Sequence, residues 1–344
     1  MHPTPEVASE LLLFQTPPQL AGHSLILSAE WEPAAIRQIA QDLVTASADS
    51  SNKYAVIPAT SHVSILFAAA TFDLIREWSS QLFGTSSAAP FPKNHPALGC
   101  LIGILGLAIL TPPFLRETSS APSHSAVIDS RQTPSFLRSI ISVILFSILA
   151  VVTLHFLPPF RFLRIFQGDY LATLLFLVGA AALVVNRRSL PSFKSLFAAP
   201  TASAAVAALV LLLLFAAWFE LTFHEAWLTP ARWLRFPLLF LAFLPWHLAE
   251  EALLSNPTKS LSPTRLFRAL TFRGIIWGIA TAAIFYLHSG QFIFVLLPLY
   301  FLMFSILQRL AIDAVRFRTR SISAAAVFGA ILLAGFVLAI LPIA

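Results

Sequence analysis

The chain has 344 residues, of which 57% are hydrophobic and only 11% charged, with a formal net charge of +6. A soluble domain carries about 25% charged residues, so this composition excludes a water-soluble globular protein and points to an integral membrane protein. The surplus Lys and Arg lie in short stretches between apolar runs, which suits the ends of membrane helices better than a nucleic-acid-binding face.

Residues 1–23 are mixed in character. Leu11-Leu12-Leu13-Phe14 is too short to span a bilayer, and Pro17-Pro18 ends it. A basic start followed by an apolar core is missing, so no secretory signal is expected here. Residues 24–28, with Leu25-Ile26-Leu27 at their centre, read as a buried strand flanked by turn formers. Pro33 suits the start of a helix, where its missing N–H costs nothing. Ile36, Ile39, Leu43 and Val44 then make one apolar stripe at helical spacing. Residues 54–57 read as a second strand, stopped by Pro58, and a Ser-rich loop carrying His62 follows. Phe72, Ile75, Trp78 and Leu82 line one face of a second helix, which Gly84 is placed to close. Strand, helix, strand, helix is the alternation of a parallel α/β sheet. Two strands are too few to bury a sheet alone, so an incomplete α/β segment is expected over residues 1–86.

Residues 87–96 form a Pro/Ser-rich linker, and from residue 97 the chain reads as a transmembrane helical domain. The fold class expected is a mainly α-helical membrane protein with about eight spans. These lie near 97–115, 139–157, 168–185, 203–222, 237–254, 274–288, 292–310 and 322–342. Cys100, the one cysteine, lies in the first of them, so no internal disulfide is expected. Arg116, Arg131 and Arg138 fall in the first gap, and Arg187, Arg188 and Lys194 in the third. Lys259, Arg265, Arg268 and Arg273 fall in the fifth, and Arg309, Arg316, Arg318 and Arg320 around the seventh. The even gaps hold only Arg161, Arg164, Arg232 and Arg235. The positive-inside rule then makes the odd gaps cytoplasmic, with the N-terminal segment and the C-terminus outside a plasma (inner) membrane.

An acid at a strand end and a histidine in a later loop have the order of the acid and base of a catalytic triad, in which the acid orients the base and stabilises its charged form. Glu32 is the candidate acid, at the carboxyl end of a strand where α/β sites form, and His62 is the candidate base. Glu30 is an alternative acid.

Residues 24–84 resemble the C-terminal part of the α/β-hydrolase fold, in its esterase or lipase-like branch. The resemblance lies in Leu25-Ile26-Leu27-Ser28-Ala29-Glu30-Trp31-Glu32-Pro33, then Tyr54-Ala55-Val56-Ile57-Pro58, then Ser61-His62-Val63-Ser64, and then the helix with Trp78. It covers about sixty residues, and implies that Glu32 holds the position of the triad acid and His62 that of the triad histidine. The family more often has Asp at the first position, and a glycine where Ala29 stands. Its nucleophile lies in Gly-x-Ser-x-Gly, upstream of both. Gly22-His23-Ser24-Leu25-Ile26 copies only the start of that motif and runs into the strand itself. The chain is therefore expected to be a C-terminal piece of a longer protein, without its own nucleophile and inactive alone.

Within the membrane part, Glu220, His224 and Glu225 cluster near the end of the fourth span, and His247, Glu250 and Glu251 near the end of the fifth. Ionisable residues in a bilayer mark functional sites, but both clusters lie near span ends and are expected to be interfacial. Arg232, Arg235, Arg265 and Arg268 are expected to be loop anchors. No phosphate-binding loop, zinc pattern or nucleic-acid signature occurs, so no cofactor, metal or nucleic acid is expected. The expected partners are the lipid bilayer and a small ester or lipid substrate. The first functional expectation is a membrane-bound α/β-hydrolase-like protein that cleaves ester or acyl bonds in a full-length form. The alternative is a polytopic transporter or lipid-handling protein with a relic or docking N-terminal module.

Overall fold

The computed structural model describes residues 23–47, 51–60, 65, 68–84, 106, 135–187, 191–223, 228–254, 262–287, 293–296 and 298–341. The chain divides into two compact units, Met1–Gly99 and Cys100–Ala344.

In the first unit, β1 (Leu25–Ala29) pairs in parallel with β2 (Lys53–Ile57), in a register that sets Leu25 opposite Lys53 and Ala29 opposite Ile57. Between them lies α1 (Ala34–Thr45), which follows Pro33, and α2 (Ala69–Phe83) comes after β2. α2 stops at Gly84, whose φ of +63° is the left-handed cap that glycine adopts without strain. The core is small: Ala29, Ile57 and Ile65 are buried, with Leu27, Ala68 and Leu74 packed on them. Ile36 and Ile39 of the α1 stripe remain 49% and 40% exposed. The helix has the amphipathic pattern of a core element, but a two-stranded sheet offers too little surface to cover it.

The second unit is helical. Its elements are α3 (Phe136–Phe156), α4 (Gly168–Val185), α5 (Ala199–Phe223), α6 (Pro230–Leu253), α7 (Pro263–Leu287), a short α8 (Ile293–Leu296), α9 (Pro298–Thr319) and α10 (Ile322–Ile340). Six of these, α3 to α7 and α10, are long and apolar enough to cross a membrane. The eight expected spans are thus reduced to six among the described residues. The first, near 97–115, lies outside them, apart from Gly106. The seventh is divided: α8 ends at Leu296, and α9 carries Arg309, Asp313 and Arg316 into the bundle, which lowers its hydropathy. The linker expected at 87–96 also lies outside the described residues.

α10 is the central helix. Its apolar window is 83% buried, against 28–61% for the other five, and it packs on α5, α6 and α9. Long-range hydrogen bonds define the two ends of the bundle. At one end the hydroxyls of Ser195 and Ser323 lie 2.5 Å apart. At the other, Arg232 donates to the Ala339 carbonyl and Arg235 to the Leu163 carbonyl. These arginines anchor backbone carbonyls near helix ends, where a cation is favoured.

Without a hydrophobic drive between helices in lipid, close packing depends on small residues. Gly179 of α4 lies against the backbone of α6, where an added Cβ would stand 2.3 Å from the Trp246 nitrogen and 2.5 Å from the Pro245 carbonyl carbon. Backbone cannot swing aside as a side chain can. Gly179→Ala is therefore expected to separate α4 from α6 and cost about 1–3 kcal/mol, seen as a lower thermal unfolding midpoint in detergent. Gly274→Ala meets nothing within 4 Å, so its midpoint is expected to match or exceed that of the parent protein.

Candidate functional site

Two places gather polar groups. The first is the carboxyl edge of the small sheet. Because β1 and β2 are parallel, the turns that follow them leave from the same edge. Backbone bonds join these turns: Glu30 N–H donates to the Ile57 carbonyl (3.1 Å) and Trp31 N–H to the Thr60 carbonyl (3.0 Å). Glu32 closes a tight turn, its N–H donating to the Ala29 carbonyl (3.1 Å) and its Oε2 accepting from Ala29 N–H (3.2 Å). The Glu30 carboxylate crosses to the second turn, where it accepts from Ala59 N–H at 2.6 Å. Ala59 has a φ of +54°, a left-handed conformation that costs a non-glycine residue about 1–2 kcal/mol. Glu30 thus holds the backbone where it is strained. His62 lies outside the described residues. So do the side chain of Glu220 and the whole of His224 and Glu225.

The second place is inside the helical unit. His247, Glu250 and Glu251, in the last two turns of α6, do not reach water or headgroups as a span end would let them: they are buried within the unit, at 1% exposure or less. Arg265 of α7, expected at a loop, is likewise buried at 2%. With Arg273 of α7 and Gln308, Arg309, Asp313 and Arg316 of α9, these residues form one ion network. Arg273 grips Glu250 with two bonds, Nε to Oε1 at 2.7 Å and Nη2 to Oε2 at 2.9 Å. Its Nη1 donates to Gln308 Oε1 at 2.7 Å. Arg309 lies between all three carboxylates: 3.3 Å from Glu250, 2.6 Å from Glu251, and in hydrogen bonds to Asp313. Arg265 links Glu251 at 2.5 Å to Asp313 at 2.6 Å. Arg316 Nε stands 3.7 Å from Glu251. His247 Nδ1 is 3.7 Å from Glu250, and its Nε2 is 3.5 Å from Gln308 Nε2.

Local spacing assembles this network. His247, Glu250 and Glu251 fall at i, i+3, i+4 on α6, and Arg309, Asp313 and Arg316 at i, i+4, i+7 on α9. Each set occupies one helix face. Gly329 of α10 admits the polar layer: its carbonyl accepts from Gln308 Nε2 at 2.6 Å, and an added Cβ would lie 2.8 Å from His247 Nδ1. Among these residues four arginines face three carboxylates.

A cavity of about 320 Å³ adjoins the network. His247, Arg273, Ser305 and Gln308 form its polar wall, and the rest of its lining is apolar. Arg273, with its side chain 13% exposed, is the network arginine that reaches it. Among the described residues, no group of three His, Cys, Asp or Glu is arranged to hold a metal.

Comparison of the chain with protein-family models, with curated proteins and with solved structures finds no match. The chemistry of the two places therefore follows from their geometry.

Removing one partner from a buried ion network leaves an uncompensated charge in an apolar medium, at a cost of about 3–5 kcal/mol. Arg309→Met is expected to destabilise by that amount, read from unfolding of the purified protein in detergent. Because Asp313 is one of its partners, Arg309→Met/Asp313→Leu should lose less than the two single variants together. Strict additivity would show that the pair does not act as a unit.

Proposed function

We propose that residues 24–84 are the acid-and-histidine portion of an α/β-hydrolase-type esterase domain carried by a membrane-embedded helical unit. The observation that carries this reading is the parallel pairing of β1 and β2, which sends the Glu32 turn and the chain leading to His62 from one sheet edge. In such a site the carboxylate fixes the histidine tautomer and stabilises the imidazolium, while the histidine takes the proton of an attacking serine. Glu32 is the acid in this reading because it holds the acid position in the resemblance; both carboxylates brace turns, Glu32 accepting from Ala29 N–H and Glu30 from Ala59 N–H. In this reading the attacking serine comes from outside residues 24–84. The exposed apolar stripe of α1, with Ile36 and Ile39, supports that: it has the character of a surface that more of a domain would cover. The substrate class is an ester or related acyl compound.

The side of the membrane follows from the loops. Arg265, Arg273, Arg309 and Arg316 belong to the buried network and drop out of the loop tally, and the basic side is then the one marked by Arg187, Arg188 and Lys194 of the sequence between α4 and α5. In this reading that side is the cytoplasmic face of a plasma (inner) membrane, and the N-terminal segment is extracytoplasmic.

A second reading, a polytopic protein that handles lipid or a small solute within the bilayer, is supported by the cavity beside the ion network.

The esterase reading is tested in the protein expressed from its complete reading frame, in membranes, with a chromogenic short-chain ester. His62→Ala and Glu32→Ala are each expected to lower kcat/KM by roughly 10³-fold or more, with Glu30→Ala losing far less. Full turnover in the His62→Ala protein would overturn it.

A further inference from the structure

We propose that the cavity bounded by α4, α6, α7, α8, α9 and α10 binds a single-chain amphiphile with a carboxylate head, an anion of the fatty-acid class. This rests on the lipid-handling reading and specifies its ligand.

The walls are chemically divided. Leu171, Leu175, Trp277, Phe294, Phe301 and Leu333 supply an apolar, aromatic-rich lining. The polar wall is confined to His247, Arg273, Ser305 and Gln308. A chain with one polar end matches that division, whereas a sugar or an amino acid would lose its hydration against apolar carbon.

The polar end has unfilled bonding capacity. Nε and Nη1 of Arg273 are fully used on Glu250, Gln308 and the Ser305 carbonyl, while Nη2 makes one bond of its possible two. The Ser305 hydroxyl stands on the same wall, and Nδ1 of the buried His247 makes no hydrogen bond, its Glu250 contact being 3.7 Å long. One guanidinium N–H and one hydroxyl at the same wall suit the two oxygens of a carboxylate.

Size and access agree as well. About 320 Å³ is near the lower end of the roughly 300–1,000 Å³ typical of small-molecule sites, which favours one chain over two. Space is left open by Gly274 and Gly278, one helical turn apart on α7, at each of which an added Cβ meets nothing within 4 Å. Leu302, on the lining, is 49% exposed, so the cavity reaches the outer surface of the bundle, from which a membrane-dissolved molecule arrives.

The test uses the purified full chain in nanodiscs and the fluorescent polyene fatty acid cis-parinaric acid, with its methyl ester for comparison. The acid is expected to bind about tenfold or more tightly than the ester. Gly278→Leu fills the space without touching the ion network, and is expected to weaken acid binding at least about tenfold at an unchanged thermal midpoint. Energy transfer from tryptophan to the bound acid should fall in Trp277→Phe. Acetate should not compete, since it lacks the chain. If acid and ester bind equally and Gly278→Leu abolishes both, carboxylate recognition is overturned while a lipid-handling cavity stands. If neither binds, or if Gly278→Leu and Trp277→Phe alter nothing, the cavity is not the site and the lipid-handling reading falls with it. Should Gly278→Leu fail to assemble, the acid-to-ester ratio and the transfer from Trp277 decide the matter.

Discussion

The helical unit depends on one constraint: charged side chains placed inside an apolar bundle must all find partners at once. A lone guanidinium or carboxylate in such a place is costly, and pairing recovers that cost only with good geometry. Here Glu250 and Glu251 of α6 need Arg265 and Arg273 of α7 and Arg309 of α9, while Arg309 also needs Asp313 on its own helix. Rotating any of the three helices would strand several charges together. The network therefore sets their relative rotation and depth, which uniform Leu and Ala surfaces alone would leave loosely specified. Gly329 of α10 belongs to the same constraint, since an added Cβ there would press on the His247 ring and the end of the Ile312 side chain.

The cavity follows from that arrangement. A polar layer held rigidly by its own ion pairs gives a wall whose groups are already in place, so a ligand meets donors that do not have to reorganise. Arg273 is the member of the layer with partial exposure, and it reaches the cavity while Glu250 holds it by two bonds. On the same helix Gly274 and Gly278 withhold side chains where the cavity opens. One helix thus supplies both the fixed charge and the empty space beside it.

Much of this was legible in the chain. Membrane character follows from composition, and the alternation of β1, α1, β2 and α2 from the periodicity of residues 24–84. The network was half legible. Arg309, Asp313 and Arg316 recur at i, i+4, i+7, and His247, Glu250 and Glu251 form an acidic counterpart at i, i+3, i+4. Read singly, the arginines resemble loop charges and the acids resemble span-end residues. Hydropathy treats each residue as if it faced its surroundings alone, whereas a charge inside a bundle is decided by its partner on another helix. The pairing of α6 with α9, nearly sixty positions apart in the case of Glu250 and Arg309, has no local signal. The bonds of Glu30 and Glu32 were illegible for a similar reason: Glu30 reaches Ala59 N–H across two turns and Glu32 folds back on Ala29 N–H, which no side-chain pattern foretells.

The N-terminal unit presents the opposite physical problem. Its buried core is a handful of side chains around Ala29, Ile57 and Ile65, and its best amphipathic helix keeps Ile36 and Ile39 at the surface. A segment this short of core has little stability to spare, yet it holds Ala59 in a left-handed conformation that glycine would adopt freely. Strain of this kind persists only where surrounding contacts over-determine the backbone. Those contacts are identifiable: the Glu30 carboxylate on Ala59 N–H, Trp31 N–H on the Thr60 carbonyl, and the Thr60 hydroxyl on the Ile57 carbonyl. They converge on the sheet edge from which the chain runs on to His62. Among the described residues, much of the unit's hydrogen bonding thus lies at the carboxyl ends of parallel strands, where α/β folds build their sites, rather than in its core.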